Sequence, residues 1–133
     1  MAGFVQTGPH PDKNAAPTIL LVEDDEAVVH ALRFRLELEG WIVQSYPSAE
    51  AMLAVADLPH RTCLVLDQIL TGMSGLDLLG ALRARGVRAP AIIITTNPSR
   101  ALRARVTANG ATLIEKPLLG EGLVRAIRAN FGE

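Results

Sequence analysis

The chain has 133 residues, 49% of them hydrophobic and 20% charged, with 13 basic side chains against 14 acidic ones and a formal net charge of −1. That length supplies one domain with a sizeable core, and a balance so close to neutral gives no basis for binding nucleic acid or an anionic membrane. No apolar run approaches the roughly 20 residues of a membrane span, the polar N-terminus has no apolar signal segment, and the single cysteine, Cys63, sits in an apolar run as a buried, inert thiol; a cytoplasmic protein is the expectation.

Met1 to Pro17, with three prolines and two glycines, reads as a flexible leader, and the domain is expected from Thr18 to Glu133. Ile19-Leu20-Leu21-Val22 is a continuous apolar run, the pattern of a strand buried on both faces. It ends on Glu23-Asp24-Asp25-Glu26. A helix follows with Val28, Leu32 and Leu36 on one face, stopping at Gly40. Trp41-Ile42-Val43 reads as a strand, and Ser48 to Asp57 as a helix with Ser48 as its N-cap. Thr62 to Leu66 is a third strand, closed by Asp67 and a loop of small residues. Gly75 to Arg85 is a helix, Ala91 to Thr95 a strand, Ser99 to Ala108 a helix, Ala111 to Ile114 a strand. A last helix carries Leu123, Val124, Ile127 and Phe131 on one face. Five strand–helix units with short connections predict an α/β fold, a parallel sheet with helices on both faces.

Sites on such sheets lie at the carboxyl ends of the strands, near a topological switch point. Those ends read Glu23-Asp24-Asp25, Asp67, Thr95-Thr96 and Lys116-Pro117. Converging carboxylates repel, at roughly 4 kcal/mol per pair for about 4 Å and an effective dielectric of about 20. A hard divalent cation relieves this, and Mg²⁺, with oxygen ligands and retained waters, suits one or two carboxylates plus a phosphate. The acids also argue against a dinucleotide cradle, since EDDEA stands where G-x-G-x-x-G would be and would repel phosphate unless a metal intervened, and no Walker A sequence is present. Asp67 is then a candidate nucleophile forming an aspartyl-phosphate. Thr95 offers a hydroxyl to a phosphoryl oxygen, Lys116 a point positive charge, and Pro117 fixes the turn after it.

The order acid pair, lone Asp, Thr, Lys-Pro on successive units resembles the response-regulator receiver domain of two-component signalling, over roughly Thr18 to Phe131. The resemblance implies a flavodoxin-like (βα)5 sandwich with strand order 2-1-3-4-5. It makes Asp67 the phosphoacceptor, Asp24 the direct Mg²⁺ ligand, Glu23 a ligand through water, and the Ile69 backbone carbonyl a further ligand. Asp25, one residue on, is either a further ligand or the start of the helix. Thr95 matches the switch hydroxyl and Lys116 the conserved lysine. The implied donor is a sensor histidine kinase or phosphotransfer protein. The implied output is a protein effector, with no direct nucleic-acid or membrane contact. The fourth helix, fifth strand and fifth helix form the expected output face, open to homodimer formation. Such a domain is not an enzyme beyond catalysing its own phosphorylation and dephosphorylation. The chain stops just past the fifth helix, so a stand-alone receiver is expected.

Three positions depart from the family pattern. Thr71 stands where a proline is usual, Thr96 where Ala or Gly is usual, and Leu113 where Tyr or Phe is usual. They leave the chemical groups intact; Thr96 and Leu113 predict slow phosphorylation or altered coupling at a switch comprising Thr95, Thr96, Leu113 and Pro117. They also favour the alternative, a pseudo-receiver binding proteins without phosphorylation. An aspartyl phosphohydrolase ranks third, because Asp67-Gln68-Ile69 lacks the second acid two residues on.

Overall fold

A computed structural model describes residues 5–6, 16–55, 57–118 and 120–133. Its elements are β1 (Val5–Gln6), β2 (Thr18–Val22), α1 (Glu26–Glu37), β3 (Ile42–Tyr46), α2 (Ala49–Leu53), β4 (Asp57–Leu58), β5 (Thr62–Asp67), α3 (Gly75–Ala84), β6 (Ala91–Thr95), α4 (Arg100–Ala108), β7 (Thr112–Glu115) and α5 (Gly122–Asn130). The main sheet is parallel and ordered β3-β2-β5-β6-β7. Counting only its own strands, that is the expected 2-1-3-4-5. The chain reverses direction across the sheet between β2 and β5, so the switch point lies where Glu23 and Asp67 emerge.

The continuous apolar strands work because alternate residues serve opposite layers. Leu20 and Val22 join Leu64, Leu66 and Ile93 in one core, with Met52, Leu79 and Val106 from the helices. Ile19 and Leu21 join Cys63, Val65, Ile92 and Ile94 in the other, under Leu32, Leu36, Val124 and Ile127. Trp41 is buried, with its ring 6.0 Å from that of Phe131. Arg61 lies 5.4 Å over the other ring of that pair, Phe131, and donates to its carbonyl oxygen.

Two elements differ from the sequence reading. The helix expected to run to Asp57 stops at Leu53, and Asp57–Leu58 is extended, which carries Leu58 into the core. A helix of five residues has little intrinsic stability, so burying Leu58 outweighs the helix propensity of Ala54 and Val55. The strand at Trp41 begins one residue later and runs on through Gln44, Ser45 and Tyr46. A sheet edge tolerates that polar half, because one flank faces water. Within the stretch read as a leader, Val5–Gln6 pair in parallel with Asp57–Leu58; residues 1–4 and 7–15 lie outside the described residues.

Cys63 is fully buried, and burial pushes its thiol from 9.0 up to about 11, against a weak opposing pull from the Asn130 amide at 3.6 Å. The folded state therefore holds this proton more tightly than the unfolded chain. The stabilisation is complete below pH 9.0 and is lost as pH rises toward about 11. We expect an alkaline decline in stability over that window that Cys63→Ala flattens, and no reaction of native Cys63 with a thiol reagent at neutral pH. Rapid labelling of the native protein would contradict this placement.

Candidate functional site

The site lies at the carboxyl end of the parallel sheet, where β2, β5, β6 and β7 finish. Glu23 follows β2 and its carboxylate is only 4% exposed. Its Oε2 accepts from the Asp25 amide at 3.2 Å, and its Oε1 accepts from Lys116 Nζ at 3.3 Å. Asp67 closes β5, equally buried. Its Oδ2 accepts from Lys116 Nζ at 3.0 Å, and its Oδ1 accepts from the Ile69 amide at 3.3 Å. Thr95 closes β6 and is buried, and its carbonyl oxygen accepts from the Lys116 amide at 2.7 Å, which fixes where the lysine starts. The Lys116–Pro117 peptide is cis.

Asp24 is exposed, with Oδ2 3.5 Å from the Thr71 hydroxyl across the site. Glu23, Asp24 and Asp67 each offer a carboxylate oxygen, and the three oxygens lie within 4.8 Å of one another. Asp25 has another role: its Oδ1 accepts from the amides of Ala27 and Val28, capping α1. The cap competes for the carboxylate, and Asp25 stands outside the acidic group.

The electrostatics follow from this crowding. Burial is the main cause that raises the Glu23 carboxyl above the usual range, and neighbouring Asp67 adds to it. For Lys116, burial pulls its pKa down, but the hydrogen bond to Asp67 and the charges of Asp67 and Glu23 outweigh it and hold the ammonium firmly protonated. One cation thus serves two buried carboxylates, with a third acid at the mouth. The trio of all-oxygen donors, one buried acid in excess of its lysine, fits a hard divalent cation.

Two positions holding the site escape a reading of the sequence for chemistry. Gln68 Oε1 accepts from the Leu76 amide at 2.8 Å, tying the end of β5 to the first turn of α3. Gly75 lies so close to that strand end that a Cβ would sit 2.3 Å from the Asp67 carbonyl oxygen. The sequence pattern shows Gly75 opening a helix; that it makes room for the backbone of Asp67 is not legible there, because that needs the packing. Thr96 is exposed, Pro117 is exposed, and Leu113 packs inward against the core layer that contains Val106. The Ile69 side chain is 71% exposed, on the loop beyond Asp67.

The family model for the response regulator receiver domain matches residues 19–128. The chain belongs to that family. This receiver is 35% identical over 113 residues to the transcriptional regulatory protein FixJ of Azorhizobium caulinodans, covering 84% of this chain and 54% of that protein. It is 35% identical over 112 residues to the two-component response regulator PhoP of Pseudomonas aeruginosa, covering 84% and 50%. The receiver thus spans about half the length of these curated relatives. Among solved structures, the crystal structure of FixJ-N superposes with a TM-score of 0.76 at 31% identity, covering 88% of this chain and 94% of that one. A CheY-like receiver domain protein from Methanospirillum hungatei gives 0.78 at 26% identity, covering 89% and 95%. Among the described residues, no helix is long and apolar enough to cross a membrane.

Proposed function

We propose that this receiver accepts a phosphoryl group on Asp67 in the presence of Mg²⁺, from a sensor histidine kinase or phosphotransfer protein, and relays the change to a protein effector. The observation that carries it is the meeting of Glu23, Asp24, Asp67 and Lys116 at the switch point. Glu23, Asp24 and Asp67 would hold the cation, which supplies charge neutralisation for the incoming phosphoryl oxygens. The Ile69 carbonyl is a further candidate donor. The Asp67 carboxylate attacks phosphorus, the bond to the donor's leaving atom breaks, and the leaving group keeps the electron pair. Lys116, already on Asp67 Oδ2, is placed to follow the new negative charge. Thr95 supplies a hydroxyl at the neighbouring strand end.

Leu113 supports altered coupling rather than lost chemistry. Its apolar side chain is already packed inward and has no polar edge to exchange when Thr95 moves. The complete acid set and its lysine argue against the pseudo-receiver.

Beryllofluoride, a phosphoryl mimic that binds carboxylates, tests the reading without a donor. With Mg²⁺ and beryllofluoride together, wild type is expected to melt several degrees higher than with either alone. Asp67→Asn should show no such synergy. A wild type indifferent to the pair would contradict the proposal.

A further inference from the structure

The outward face of α1 is apolar. Ala27, Ala31, Phe34 and Leu38 are all exposed, Phe34 at 65% and Leu38 at 66%. Their spacing of four, three and four residues places them in one stripe, the a/d seam of a short coiled coil, on the side opposite the core-facing Leu32 and Leu36. Such large apolar side chains on a soluble helix mark a contact surface. The α4–β7–α5 face differs: among the described residues no large hydrophobic side chain is exposed there, and Arg103 spends its charge on Glu115 at 2.9 Å.

The geometry points to a second copy of this chain as the occupant of the α1 stripe, docked antiparallel about a two-fold axis between Leu32 and Arg33. The stripe is self-complementary only in that orientation. Phe34 then faces Ala31 of the second copy, and Leu38 faces its Ala27, so each large side chain meets a small one. A parallel pair would set Phe34 on Phe34 and Ala27 on Ala27, with crowding at one end and a void at the other. The flanks agree. Exposed His30 and Glu37 lie along the same edge of the stripe, and the antiparallel two-fold brings each His30 beside Glu37 of the second copy, twice. A parallel pair would instead bring His30 toward Arg35 of the second copy.

A helix of 12 residues presents a small contact, below the roughly 1,200 Å² of a standard stable complex. The dimer is therefore weak and concentration-dependent, and it needs no phosphorylation.

Sedimentation velocity of the full, unphosphorylated chain from micromolar to millimolar concentration tests it. Wild type is expected to move from monomer to dimer. Phe34→Glu and, independently, Leu38→Glu should weaken the dimer by roughly a hundredfold; both side chains are mostly exposed, so circular dichroism should show the fold intact. His30→Lys should tighten the antiparallel dimer, by placing two lysines beside two Glu37 carboxylates, and would weaken a parallel one. A wild type monomeric throughout, a dimer indifferent to both glutamate variants, or weakening by His30→Lys would each overturn the inference.

Discussion

Lys116→Met is expected to lower stability by about 2–4 kcal/mol and to slow phosphorylation by roughly a hundredfold. The lysine is the counter-charge for two carboxylates that are each almost wholly buried, at 3.0 Å from Asp67 and 3.3 Å from Glu23. Removing it leaves like charges facing each other in a medium that water barely screens. The loss should shrink as pH falls through the carboxylate range, because Glu23, whose carboxyl is already raised by burial, then takes up a proton. It should also shrink with Mg²⁺, which offers the same acids another cation. Urea unfolding with and without Mg²⁺ measures both. If the variant matched wild type in metal-free buffer, the carboxylates would not be paired as described.

The second large effect belongs to a residue with no side chain. Gly75→Ala would set a Cβ 2.3 Å from the Asp67 carbonyl oxygen and 2.9 Å from its carbonyl carbon. Both neighbours are backbone, so the end of β5 or the start of α3 must move. We expect a cost of about 1–3 kcal/mol and, because Asp67 itself is displaced, a phosphorylation rate lower by roughly a hundredfold. Gly80→Ala on the same helix is the control, since nothing lies within 4 Å of its Cβ position; it should stabilise by about 0.5–1 kcal/mol. Denaturant midpoints and single-turnover labelling of the two variants separate the effects. Equal labelling by both would remove Gly75 from the account.

These positions also mark how far the sequence carries. The apolar runs at Ile19, Cys63 and Ala91 are strands buried on both faces, a pattern with few alternatives, and Gly40, Gly86 and Gly110 end helices where positive φ is needed. The acids and the lysine were legible because chemistry restricts the residue type at a strand end. The end of α2 was not, since Leu58 enters the core from a two-residue strand that leaves no periodic trace. Asp25 was ambiguous because a carboxylate serves equally as ligand or as N-cap, and only the hydrogen bonds to Ala27 and Val28 separate the two. Gln68 carried no signal, since its role depends on where α3 begins in space rather than in sequence. The stripe of Ala27, Ala31, Phe34 and Leu38 is written in the sequence, but Val28, Leu32 and Leu36 give the same helix a second apolar face, and only burial shows which face the fold uses.

The most direct measurement is the intact mass of wild type and Asp67→Asn after incubation with acetyl phosphate, with and without Mg²⁺. A single phosphoryl adduct on wild type that requires the metal and is absent from Asp67→Asn is the predicted result. No adduct, under conditions that label another receiver in the same vessel, or an adduct that persists in Asp67→Asn, would contradict Asp67 as the phosphoacceptor.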